Sequence, residues 1–238
     1  MWSNPTWVMN VPDWIPAPPF PAGRQNENRF PCQKPSYAKN PYSCASIRSV
    51  NLLMNKLRFR ADDPERKTWQ DPEKIFSAIG LTAGMVFVDI GCGEGYFALP
   101  AARQVGTGGK VLAADINADA VAALWEQAAN MGLSNLSAEV KAAEETVACK
   151  GCADIVFFGI DLHDFADPDR VLRNARKMLK PSGRLIDLDW KDEPMEFGPP
   201  QEKRFSVHKA QAKIQAAGFR VLSVQDAGPC HYLITAGR

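Results

Sequence analysis

The chain has 238 residues, 45% hydrophobic and 23% charged, the balance of an ordinary folded chain and enough for one α/β domain with an extension. The 28 Lys and Arg against 27 Asp and Glu leave a net charge of +1, so composition gives no general basic field to hold nucleic acid. No apolar run reaches the length of a membrane span, and the proline-broken start MWSNPTWVMNVPDWIPAPPF lacks the basic and apolar regions of a signal peptide.

Residues 1–53 hold nine of the 18 prolines and three of the six tryptophans, with no sustained period, and read as an irregular extension. Composition changes at MNKLRFRADDPERKTWQDPEKIF, so the folded domain is expected over 54–238, with Met54 as a natural start. The stretch DPEKIFSAIG then has an N-cap Asp71, Pro72 at the first helical position and Gly80 as the stop. A continuous apolar strand is predicted at Val86–Ile90 and a helix from about Glu94 to Gln104. A strand at Lys110–Asp115, a helix at Ala118–Met131 and a weaker strand near Ser137–Lys141 follow. Next come a strand at Asp154–Ile160, a helix at Asp169–Leu179 closed by KPSG, and a strand at Arg184–Trp190. After the loop KDEPMEFGPPQEKRF a helix at Ser206–Ala217 precedes strands at Phe219–Gln225 and His231–Ala236. Such alternation predicts a doubly wound, Rossmann-like α/β sheet, mostly parallel, ending in an antiparallel hairpin.

The first strand runs into VFVDIGCGEGYF. Glycines after a strand let backbone approach a ligand, and the following helix offers free N–H groups. A phosphate loop needs a Gly-Lys-Ser/Thr ending, which is missing, and a dinucleotide fingerprint needs glycine where Tyr96 stands. What remains is Asp-x-Gly-x-Gly-x-Gly, at Asp89, Gly91, Gly93 and Gly95. This resembles the first motif of class I S-adenosylmethionine-dependent methyltransferases, and the likeness runs from about Met54 to the C-terminus.

Further residues carry the resemblance. Asp115 ends the next strand, where a carboxylate accepts both ribose hydroxyls, beside Ile116. Asp154 enters the fourth strand, and Lys180, Pro181 and Gly183 match the Leu-Lys-Pro-Gly-Gly layout before the fifth. KAAEETV departs from the pattern, placing alanine where relatives bind the adenine amino group and leaving Glu144 or a backbone N–H as the substitute. The resemblance thus implies a seven-stranded sheet and S-adenosyl-L-methionine held by Asp89, Gly91, Cys92, Gly93, Gly95, Asp115, Ile116, Glu144 and Gly159.

GIDLHDF replaces the Asn/Asp-Pro-Pro-aromatic motif of DNA and protein amide methyltransferases. It resembles the His-Asp-aromatic motif of the small-molecule, type 11-like branch instead. That implies His163 as a base toward an acceptor hydroxyl, with Asp161 and Asp164 beside it. The loop before the Ser206 helix is the natural acceptor wall, where Lys191 or Arg204 would meet an anion, and His231 and Tyr232 begin the last strand near the same cleft. Six irregularly spaced cysteines suit a cytoplasmic protein with reduced thiols, and CKGC, though spaced like metal ligands, lacks a second close pair, so no metal is expected. Methyl transfer to a small-molecule acceptor is the expected function, without nucleic-acid or membrane partners. Two alternatives stand beside it: a metalloid or thiol methyltransferase using Cys149, Cys152 or Cys230, and a cofactor-binding partner subunit without turnover.

Overall fold

Seven strands form one sheet in the order β3-β2-β1-β4-β5-β7-β6. The computed structural model describes residues 65–195 and 197–238, so the extension at 1–53 and the boundary at Met54 lie outside the described residues. The strands are β1 (Val86–Ile90), β2 (Lys110–Asp115), β3 (Leu136–Val140), β4 (Ala153–Gly159), β5 (Leu179–Trp190), β6 (Arg220–Ala227) and β7 (His231–Gly237). Only β7 runs against its neighbours, β5 and β6, and the other pairings are parallel. The expected architecture is therefore observed.

Short α1 (Arg66–Trp69) leads into α2 (Pro72–Ile79), α3 (Ala98–Val105), α4 (Ala118–Asn130), α5 (Pro168–Met178) and α6 (Val207–Ala216). Period-two burial divides each strand between two cores. Phe87, Val111, Phe157, Ile186 and Leu233 face Phe76, Leu99 and Leu124 of α2, α3 and α4. Val88, Leu112, Phe158, Leu185 and Ile234 face Val171, Leu172, Ala210 and Ile214 of α5 and α6. Helix starts follow local chemistry: Asp71, Asn117, Asp167 and Ser206 each accept backbone N–H groups as N-caps. Among the described residues no helix is long and apolar enough to cross a membrane.

Three expectations need correction. The glycine turn continues through Phe97, so α3 begins at Ala98 and not near Glu94. KPSG is not a loop but part of β5, which starts at Leu179 opposite Ala153 and shifts register before Arg184. Asp154 holds this bulge in the sheet: both its oxygens accept from Lys180 Nζ at 2.8 Å, and Oδ2 also accepts from Val86 N at 2.8 Å. Finally, Cys149 and Cys152 are not free thiols; the turn between them brings their Cα atoms to 5.9 Å and they are joined in a disulfide. Cys92 and Cys230 are free and buried.

Candidate active site

Parallel strands leave their carboxyl ends on one edge, where crossover loops open a crevice. Here β1 ends in the glycine turn. Gly91 has φ +81°, and a Cβ there would lie 2.6 Å from the Asp161 carboxyl, so only glycine lets that carboxylate close on the backbone. Gly95, at φ +91°, serves packing, since a Cβ would meet Leu124 at 2.4 Å. Gly93 donates its N–H to Asp115 Oδ2 at 2.8 Å. Cys92 is buried in the core beside these glycines, and burial pushes its thiol pKa up.

A cavity of about 380 Å³ opens beside the turn, lined by Gly91, Ala114, Asp115, Ile116, Lys141, Ala142, Ala143, Glu144, Asp161, Asp164, Phe165 and Ala166. Asp115 stands at its floor with Oδ1 accepting from Asn117 N and Oδ2 from Gly93 N, both at 2.8 Å. Each oxygen keeps a second lone pair, and the two backbone bonds fix the carboxylate's direction. Ile116 is 75% exposed, an apolar surface on the rim. Glu144 sits in a 3₁₀ turn, and its Oε1 accepts from Asp167 N at 3.1 Å, tying the rim to the start of α5. Gly159 falls outside the lining; the space a Cβ would take is filled by Phe97, 2.9 Å away.

The interior of the site is anionic. Asp89 is 1% exposed, and its Oδ2 has no hydrogen-bond partner. Burial, with repulsion from Asp115, pushes its pKa up to about 7, while Arg66 works in the opposite direction. Asp161 also has an unpartnered buried Oδ2, and burial and then Asp89 raise it well above the carboxylate range. Before it, Ile160 has φ +73°, a left-handed conformation that a β-branched residue adopts only under strain. That twist follows the last residue of β4 and precedes the residue that lines the cavity.

His163 is held by a residue that sequence reasoning missed. Its Nδ1 lies 2.7 Å from Asp189 Oδ1, with the His163 side chain 5% exposed and Asp189 fully buried. Two backbone groups, His163 N and Trp190 N, also donate to that carboxylate, at 3.2 and 2.8 Å. The carboxylate is acceptor-only, so it selects the Nδ1–H tautomer and leaves Nε2 with its lone pair. His163 is not among the cavity-lining residues, although Asp161 and Asp164 on either side of it are. The signal for Asp189 is in LIDLDW, where two acids alternate with apolar residues on a buried strand.

The expected acceptor wall is built differently from its reading in sequence. Arg204 is 6% exposed, and its guanidinium donates to the carbonyls of Pro199, Lys191, Glu193 and Phe197. Lys191 pairs with Asp226 at 2.7 Å. Both cations therefore shape the loop instead of awaiting an anion. His231 is fully buried between Trp69 and Trp190, with ring centroids at 5.7 and 4.4 Å, and burial holds its pKa down at about 3. Tyr232 faces the other core, near Asp187 and Asp189. Among the described residues no cysteine lines the cavity.

A family model described as "Methyltransferase domain" matches residues 81–222. Nocamycin O-methyltransferase of Saccharothrix syringae is 32% identical over 112 residues, 47% of this chain and 40% of that protein. Ubiquinone/menaquinone biosynthesis C-methyltransferase UbiE of Edwardsiella ictaluri is also 32% identical over 112 residues, 47% of this chain and 45% of that one. These matches span less than half the length of either relative. A SAM dependent methyltransferase from Aquifex aeolicus superposes with a TM-score of 0.70 at 27% identity, covering 82% of this chain and 98% of that one.

Proposed function

Because the chain belongs to the methyltransferase-domain family, enzymes that use S-adenosylmethionine, we propose that it methylates a small-molecule acceptor bearing an acidic O–H or C–H. The observation that carries this reading is a cavity lined by Gly91, Asp115, Asp161 and Asp164, the last of these next in the chain to His163, which the Asp189 carboxylate anchors. The cavity fits the cofactor's chemistry. Asp115 has two fixed oxygens with free lone pairs for vicinal hydroxyls, and Ile116 offers an apolar surface for a flat base. The unpartnered oxygens of Asp89 and Asp161 suit a ligand with a cationic end. Gly91 lets the Asp161 carboxylate close on the backbone at the place where that end would meet it. Glu144 stands on the rim for the base's amino group.

When bound, the cofactor supplies an electrophilic sulfonium methyl group. The protein's own part is to align the acceptor, exclude water and take a proton. His163 is the proposed base, with Nε2 accepting the proton that the acceptor loses. Asp189 holds the ring and stabilises the imidazolium that forms, the same division of labour as in other histidine–carboxylate pairs. Both an O-methyltransferase and a C-methyltransferase stand among the relatives, and transfer to oxygen or to carbon alike releases a proton. The thiol or metalloid alternative loses its support because every cysteine of the described residues lies off the cavity lining.

Calorimetric titration with S-adenosylmethionine, S-adenosylhomocysteine and NAD tests the cofactor assignment. The first two should bind, and Asp115→Ala should weaken them by about tenfold or more, as expected for lost hydrogen bonds to a charged group. Binding of NAD alone overturns the reading.

A further inference from the structure

The segment that leaves β3 joins two distant features. At its start, Ala142, Ala143 and Glu144 wall the cavity. At its end, Cys149 and Cys152 form a disulfide just before β4 begins at Ala153. The seven residues of β4 place that disulfide about 20 Å from the sheet edge holding the cavity.

This crosslink does little as a staple. It closes a loop with a sequence separation of 3, which restrains the unfolded chain only slightly. The segment around it is already tied to α5 without it. Ala148 N lies 3.2 Å from Met178 Sδ, Gly151 N donates to Lys177 O at 3.0 Å, and Asn174 Nδ2 donates to Glu144 O at 2.8 Å. Accessibility favours chemistry instead. Lys150 and Gly151, between the two cysteines, are exposed, and the cysteines themselves are only half-buried.

We propose that Cys149 and Cys152 form a thiol–disulfide exchange site for small thiols and disulfides, and that its redox state sets how firmly the Ala142–Glu144 wall is held. The chemistry balances as ordinary exchange. One cysteine thiolate attacks a small disulfide, forming a mixed disulfide and expelling one thiolate, which takes up a proton. The second cysteine thiolate displaces the other half as a thiolate that is likewise protonated. Two protein thiols are oxidised to one disulfide while the small disulfide is reduced to two thiols, and a reducing thiol pair runs the sequence backwards.

The link to the cavity is short. Thr146, 1% exposed, donates its hydroxyl to Ala142 O at 2.8 Å, and Val147, Ala148 and Cys149 pack together against the α5 core. Opening the disulfide removes one restraint at the Cys149 end of this run while the bonds to α5 remain, so the wall at its other end is held less stiffly. This half of the proposal rests on the cofactor reading given above.

The test equilibrates the full chain in glutathione buffers of varied redox ratio, traps thiols by alkylation and reads the masses. S-adenosylmethionine is then titrated into the oxidised form, the reduced form and the Cys149→Ser/Cys152→Ser variant. The pair should interconvert reversibly without unfolding, and the reduced form and the variant should both bind the cofactor about threefold to tenfold more weakly than the oxidised form. A pair that stays dithiol in every buffer, or stays closed under excess reductant, overturns the exchange site. Equal affinity in all three forms overturns the link to the cavity. Absence of binding to every form overturns the cofactor reading and that link together, while the masses decide the exchange site independently.

Discussion

Asp89 and Asp161 carry unpartnered buried oxygens, and burial raises the affinity of each carboxyl for a proton, which competes with a cationic ligand. Since Asp89 titrates at about 7, S-adenosylmethionine should bind more weakly as pH falls below 7, by about tenfold per pH unit for one linked proton. Calorimetry in buffers of different ionisation enthalpy would show the proton released on binding. At His163, Asp189→Asn keeps the shape but removes the charge and lets the ring take the wrong tautomer. That variant should lower kcat by about 100-fold or more with little change in cofactor affinity, and steady-state kinetics beside titration separates the two effects. Gly91→Ala places a methyl 2.6 Å from the Asp161 carboxyl at a left-handed φ, so cofactor binding should be lost while the chain still folds.

The loop after β5 is an element whose form depends on one side chain. Arg204 gathers four carbonyls between Lys191 and Pro199, and its guanidinium lies 5.7 Å from the Trp190 ring. Arg204→Met should cost about 1–3 kcal/mol, because four partly buried carbonyls lose their donor, and thermal unfolding measures it. The sequence showed this arginine's position but not its duty, which exists only once the loop curls around it. The same contrast runs through the site. The glycine turn and Asp115 were legible because their chemistry lies in contiguous residues and one strand end. The partnership of His163 with Asp189 was not, because it joins positions 26 apart through the β4–β5 pairing. KPSG read as a loop by its turn residues, yet the Asp154–Lys180 pair draws it into the sheet.

For the whole molecule, the buried ionisable groups set opposing slopes of stability with pH. Asp89 has a folded pKa near 7, above its unfolded carboxylate value, so the stability its proton gives is present at low pH and is lost as pH rises through 7. Asp161 and Asp187 are raised as well, by burial and by neighbouring carboxylates. His231 works the other way: held near 3, it gives stability above the unfolded histidine value of about 6.5, which is lost as pH falls from there towards 3. Between pH 8 and 6.5 the carboxyls dominate, so the cofactor-free protein should melt a few degrees higher at pH 6.5 than at pH 8. Saturating S-adenosylmethionine should shrink that difference, and scanning calorimetry at both pH values checks each statement.

The Asp154 carboxylate reaches Val86 of β1 and Lys180 of β5 from its own place on β4. Three neighbouring strands are thus bound together along one edge, like pages at a spine, while the opposite edge has to accommodate ligands. Breathing of the sheet should therefore be one-sided. The Val86 and Ile155 amides near the spine should exchange with solvent late, and those of Gly91 and Ile160 early, so the cavity can widen without the strands losing their order.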